Sequence, residues 1–235
     1  MFIVIKKKIL ILIVVIIALA IAFPMTIFAV AGNSTVTKGV RLVIDAGHGG
    51  IDFGVQGVNT KVKESELTLA IAKLLNGYAE SGELAPVMTR KNSDGLYGLP
   101  LPNFKRRDLN KRIKIIEEHN PELVISLHMN YYSASSRRGI QIFYSKDEDR
   151  LLAECLQNAI NRTMNMPTLG RNFTEMKGDY FISKYSPCPA VIVECGFISN
   201  PEDEKLLLDA DYRMLLAYQI FSAVILYLET KSPNS

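Results

Sequence analysis

The sequence predicts an α/β fold: one domain with a mostly parallel, twisted sheet flanked by helices, preceded by an N-terminal signal or transmembrane segment. Three observations lead there. Apolar runs of strand length alternate with amphipathic stretches of helical period. Three of those runs, RLVID (41–45), ELVIS (122–126) and PAVIV (189–193), lead directly into His48, His128 and Glu194. Parallel strands deliver their C-terminal ends along one edge of an open sheet, where ligands gather. A chain of 235 residues, 48% hydrophobic, is also long enough for one well-cored domain and a small appendage.

The appendage comes first. Lys6, Lys7 and Lys8 precede an uncharged run from Ile9 to Ala31 that closes on Ala29-Val30-Ala31, a small-x-small cleavage pattern. The run is long enough to cross a bilayer. Pro24 interrupts it, which favours a cleaved signal peptide over a permanent anchor; either way the body of the chain is expected to be exported. Residues 32–40 (GNSTVTKGV) read as a linker, 41–229 as the catalytic domain and 230–235 as a tail.

Strands are predicted at 41–45, 85–89, 123–127, 139–144 and 190–194. Helices are predicted at 64–81, 106–119, 147–164, 201–208 and 210–229. In the first helix Leu67, Ala70, Ile71, Leu74, Leu75 and Tyr78 recur at helical spacing, as do Leu109, Ile113 and Ile116 in the second. That second helix must stop at His119-Asn120-Pro121, because a residue before proline is pushed out of the helical region. Asn200-Pro201 opens the short helix, with Asn as N-cap and Pro in the first turn. Residues 91–104 and 130–138, rich in Gly, Pro, Asn and Ser, are expected to be loops beside the active edge that shape substrate choice.

Charge excludes one class of partner. Residues 1–31 hold three of the 27 basic residues and no acid, so the body carries 24 bases against 24 acids. A neutral body argues against nucleic acid. Lys105-Arg106-Arg107 and Arg137-Arg138 are read as solvated faces or local substrate contacts. Three cysteines make no disulfide framework. Cys195 reads as a small buried hydrophobe, and a Cys155–Cys188 pair stays open.

The chemistry-bearing residues suggest zinc. Catalytic zinc takes three protein groups and leaves a fourth position for water. His48, His128 and a carboxylate at the start of the 64–81 helix supply two nitrogens and one oxygen, a set that suits zinc better than magnesium or calcium. Spacing alone admits Glu64 or Glu66. Gly47, Gly49 and Gly50 let the chain turn after the strand and leave room at His48. No Gly-Lys-Ser/Thr ending follows, so this is no phosphate loop. Asp45 either orients a ligand from behind or caps the turn, and His119 has no assigned role. Glu194 is the expected catalytic carboxylate, taking the proton of an attacking water and delivering it to a departing nitrogen.

Four segments together, VIDAGHGGIDFGVQG (43–57), KESELTLAIAKLL (63–75), LVISLHMN (123–130) and PAVIVECGFISNPEDEKLL (189–207), resemble the zinc-dependent N-acetylmuramoyl-L-alanine amidases of the type 3 family. The likeness runs in order from Arg41 to Leu228. It implies a phosphorylase/hydrolase-like α/β domain, one Zn2+, and hydrolysis of the amide joining N-acetylmuramic acid to L-alanine in peptidoglycan. It implies His48, Glu64 and His128 as metal ligands, selecting Glu64 over Glu66, with Glu194 catalytic and Asn130 at the substrate. Ala46, Met129 and Cys195 depart from the usual family residues without removing a functional group. The bare exported domain looks most like the sporulation amidases of the family, which act in the spore cortex on the way to muramic-δ-lactam, and a possible exported accessory protein or activator follows from that likeness. The competing expectations are an exported zinc carboxypeptidase or other metallopeptidase, and a non-catalytic wall-binding protein of the same fold.

Overall fold

A computed structural model describes residues 39–99 and 101–231. The signal or anchor expected at 1–31, most of the linker, and residues 232–235 of the tail lie outside the described residues. Among the described residues no helix is long and apolar enough to cross a membrane.

In chain order the elements are β1 (Arg41–Ala46), α1 (Glu64–Ser81), β2 (Ala85–Met88), α2 (Phe104–His119), β3 (Leu123–Asn130), β4 (Gln141–Tyr144), α3 (Arg150–Ile160), α4 (Met166–Leu169), β5 (Met176–Lys177), α5 (Phe181–Tyr185), β6 (Ala190–Phe197), α6 (Pro201–Leu208) and α7 (Ala210–Thr230). The sheet order is β2-β1-β3-β6-β4-β5. The pairs β1–β2, β1–β3 and β3–β6 are parallel, and β4 turns antiparallel to β6, carrying β5 with it. Every strand and helix predicted from sequence has its counterpart, and the sheet is mostly parallel as expected. The single helix predicted over 147–164 is broken up: a 3-10 turn at Asp147–Asp149 leads into α3, and a π turn at Asn161–Asn165 joins α3 to α4. Elements β5, α4 and α5 were not anticipated; at two to five residues they are too short to show a period.

Local signals act where the sequence puts them. Asn120 takes φ +43° beyond α2 and its N–H returns to the Glu117 carbonyl, after which Pro121 turns the chain into β3. The Asn200 side chain accepts from the N–H groups of Glu202 (2.9 Å) and Asp203 (3.1 Å), capping α6.

Alternation along the three central strands divides the core in two. One set of side chains, Leu42, Ile44 and Ala46 on β1, Leu123, Ile125, Leu127 and Met129 on β3, Val191, Val193 and Cys195 on β6, packs into a large cluster with α1, α3 and α7. The opposite set begins apolar, with Val43, Val124, Ala190 and Ile192 against Ile116 of α2 and Ile182 of α5. Toward the C-terminal ends of the strands this second face becomes polar: Asp45 pairs in register with Ser126, and His128 with Glu194. That polar margin is where the predicted site residues meet.

Candidate metal centre

Glu64 is the first residue of α1, a helix that starts where the chain returns from β1. Its backbone and side chain both grip the incoming segment: Glu64 N–H donates to the Val55 carbonyl (2.9 Å), and Val55 N–H donates to Glu64 Oε2 (2.9 Å). Gly54 makes this possible. Its φ is +73°, and a Cβ there would lie 2.2 Å from Glu64 Oε2. The other oxygen, Oε1, accepts from Met129 N–H (3.0 Å) and stands 3.2 Å from His48 Nε2 and 3.1 Å from His128 Nδ1. Glu66, two residues and about 200° further around the helix, is exposed and lies 4.0 Å from Lys63. The structure therefore brings Glu64, not Glu66, to the histidines.

His48 adopts φ +62°, a left-handed conformation uncommon outside glycine. Buried cations hold that turn. Arg112 on α2 donates through Nη1 to the Ala46 carbonyl and through Nη2 to the His48 carbonyl, both at 2.6 Å. Arg90 donates to the carbonyls of Ala46 (2.9 Å) and Gly47 (3.0 Å), and Thr68 Oγ1 also donates to Gly47 (2.9 Å). Asp45 performs neither of its two expected roles directly. It accepts from Thr89 Oγ1 (2.7 Å), Ser126 Oγ (2.7 Å) and Arg112 Nη1 (2.6 Å), and reaches the His48 turn only through Arg112. Burial pushes the Asp45 carboxyl up, but the Arg112 charge and those hydrogen bonds outweigh it and hold the group at about 2. Asp108 completes the buried network on Arg112 Nε (2.5 Å).

His128, near the end of β3, lies against Gly47: a Cβ there would approach its ring to 2.4 Å. The two imidazoles meet edge to face with centroids 5.0 Å apart. Glu194 follows Ile192 on the same face of β6 and sits opposite His128 in register. It is 8% exposed, and its Oε2 is buried without a protein hydrogen-bond partner. Burial pushes its carboxyl up to about 7, with the His128 charge pulling down and Glu64 adding to the rise. For Glu64 itself burial acts upward, but hydrogen bonds to His128 and His48 hold the carboxyl well below its usual range. Asn130 closes β3, partly exposed, with its carbonyl accepting from Ile198 N–H (3.0 Å).

The donor set fits a small divalent cation. One ligand atom from each of His48, Glu64 and His128 lies within 4.8 Å of the others. Ligands about 2.0–2.2 Å from a tetrahedral zinc are about 3.3–3.6 Å apart, close to the 3.1 and 3.2 Å separations from Glu64 Oε1. Two nitrogens and one oxygen are borderline-soft chemistry suited to zinc.

Comparison with known proteins places the chain in a family. The profile of the N-acetylmuramoyl-L-alanine amidase family matches residues 42–225. The chain belongs to that family. This amidase is 29% identical over 199 residues to the germination-specific N-acetylmuramoyl-L-alanine amidase of Bacillus subtilis, covering 83% of this chain and 82% of the relative. The CwlD amidase of Clostridioides difficile, solved in complex with the GerS lipoprotein, superposes with a TM-score of 0.76 at 30% identity, over 82% of this chain and all of the other. The catalytic domain of CwlV from Bacillus (Paenibacillus) polymyxa var. colistinus gives 0.70 at 26% identity, over 82% and 99%.

In this amidase the four predicted metal and catalytic residues converge on one edge. Residues that sequence reasoning missed are Asp52, Arg90 and Arg112. Asp52 Oδ2 lies 2.9 Å from His48 Nδ1; its position four residues after His48 was the available signal. The arginines gave none, since nothing in a helix or loop sequence marks a cation as buried. Cys155, Cys188 and Cys195 are all free, which closes the open question of a Cys155–Cys188 bond. Burial holds the Cys195 thiol well above its usual range, consistent with an inert core residue. His119 is exposed at the end of α2, bonded to the Ile115 carbonyl (2.8 Å).

Proposed function

We propose that this chain is a zinc-dependent N-acetylmuramoyl-L-alanine amidase, with His48, Glu64 and His128 as metal ligands and Glu194 as catalytic residue. It cuts the amide between the lactyl group of N-acetylmuramic acid and L-alanine in peptidoglycan. The carrying observation is a buried carboxylate oxygen of Glu64 flanked at 3.2 and 3.1 Å by nitrogens of two histidines, with the buried, unpartnered Oε2 of Glu194 on the residue opposite His128 in register. Zinc held there by His48, Glu64 and His128 would supply Lewis acidity to the carbonyl and to the attacking water. Glu194 Oε2 takes a proton from the water that attacks the lactyl carbonyl carbon. The same oxygen hands that proton to the amide nitrogen as the C–N bond breaks, leaving a lactyl carboxylate and the free α-amine of L-alanine. Asn130, at the rim beyond His128, positions the substrate.

Residues 41–229 form the catalytic domain in this reading. Residues 1–31 direct export and are cleaved or anchor the protein to the membrane, 32–40 link, and 230–235 form a tail. Cortex processing in spores is supported by the likeness to a germination-specific amidase. An exported accessory protein is supported by the CwlD structure, whose partner is a lipoprotein. Digestion of purified peptidoglycan tests the activity. Mass spectrometry is expected to find stems with a free L-alanine amine, lost with a chelator and restored by zinc. Release of C-terminal D-alanine with stems still on the glycan would make the protein a carboxypeptidase instead.

A further inference from the structure

Behind one of the two histidines stands a carboxylate with no part in the proposed ligand set. Asp52 Oδ2 lies 2.9 Å from His48 Nδ1, and a carboxylate can only accept there, so the proton of that bond is on Nδ1. The opposite nitrogen, Nε2, is the one turned toward Glu64. Asp52 is itself fixed from two directions. Its other oxygen, Oδ1, is 3.2 Å from Lys105 Nζ on the first turn of α2. Its backbone exchanges hydrogen bonds with Gly49 across the turn, at 2.8 and 3.2 Å. The His48 main chain is pinned by Arg112, which leaves rotation of the ring as the freedom that Asp52 removes. His128 is braced differently, by the close approach of Gly47 to its ring.

We propose that Asp52, held by Lys105, is the positioning residue of the metal centre, fixing the Nδ1–H tautomer and ring angle of His48 so that Nε2 is the donor. This rests on the zinc reading above. Second-sphere partners of this type are worth roughly 10- to 100-fold in metal affinity.

The test compares wild-type protein with Asp52→Ala, Asp52→Asn and Lys105→Met, each stripped of metal and titrated with zinc against a chromophoric chelator. Cobalt is titrated in parallel and its visible absorption recorded. Asp52→Ala is expected to weaken zinc binding by roughly 10- to 100-fold and to change the cobalt spectrum, with the melting temperature of the metal-free protein unchanged. Asp52→Asn, whose amide oxygen still accepts from Nδ1–H, is expected to recover part of the loss. Lys105→Met is expected to weaken binding less than Asp52→Ala. Wild-type affinity and an unaltered cobalt spectrum in Asp52→Ala overturn the proposal while leaving the zinc reading intact. A wild-type chain that takes up neither metal overturns both. If Asp52→Ala does not fold, Asp52→Leu, which fills the same space and accepts no hydrogen bond, decides: wild-type affinity with an unaltered spectrum overturns the proposal, and weakened binding supports it.

Discussion

The two faces of the central sheet are built from the same strands and do different work. Under α1, α3 and α7 the side chains of β1, β3 and β6 stay apolar along their length, from Leu42 to Ala46, Leu123 to Met129 and Val191 to Cys195. Under α2 and α5 the same strands change character partway. Val43 gives way to Asp45, Val124 to Ser126 and His128, and Ile192 to Glu194. The first face contributes area removed from water, about 25 cal/mol per Å2 of apolar surface. The second buries carboxylates and an arginine, which stabilise only while fully paired. Stability and chemistry are thereby separated by residue parity, and a substitution should act on one or the other according to the face it occupies.

The largest expected effect is confined to the polar face. Glu194→Gln should lower amidase turnover by about 10^2- to 10^4-fold, with zinc content retained. Its melting temperature should match or exceed that of the wild type, because a buried carboxylate without a partner is replaced by a neutral amide. Activity surviving in this variant would show that the face does not carry the chemistry assigned to it.

Arg112→Met should breach the separation. It leaves Asp45 and Asp108 buried without their cation and removes the donor to the His48 carbonyl. Chemical denaturation should report a loss of about 3–5 kcal/mol, and zinc affinity should fall with it. Ile125→Ala, on the apolar face at the centre of β3, should cost about 2–5 kcal/mol. The folded fraction should retain wild-type kcat when assayed well below its melting temperature. A drop in kcat there would mean the faces are mechanically coupled.

The smallest effect concerns acid. Asp45 titrates at about 2 in the fold against 3.8 ordinarily. A group with a depressed folded pKa contributes its stability in full above its unfolded value and loses it as pH falls through the folded one. The contribution should therefore be complete above about pH 4 and decline toward pH 2. Denaturation curves across that window should be less steeply pH-dependent in Asp45→Asn than in the wild type; equal slopes would remove Asp45 from the account.

Much of this is legible in the sequence. Strand and helix positions follow from periodicity, the end of α2 and the start of α6 from Asn-Pro pairs, and the cluster of His48, His128 and Glu194 from three strands ending at a common edge. Periodicity could not resolve the two-residue β5 or the short α5, and it missed the π turn that breaks the 147–164 helix. Nor could it rank Glu64 against Glu66; the family resemblance favours Glu64, and in the structure Glu64 lies against the two histidines while Glu66 is exposed beside Lys63.

The sequence by itself determined the alternation of strands and helices, the neutral body and the residue types available to hold a cation, because these depend on local pattern and composition. Only the tertiary structure decided which buried charges face one another. Asp45 meets Arg112 across 67 residues of chain, and Glu64 meets His128 across 64. Pairings at that separation arise when strand order and helix docking bring distant segments together, and no local preference of either residue encodes them.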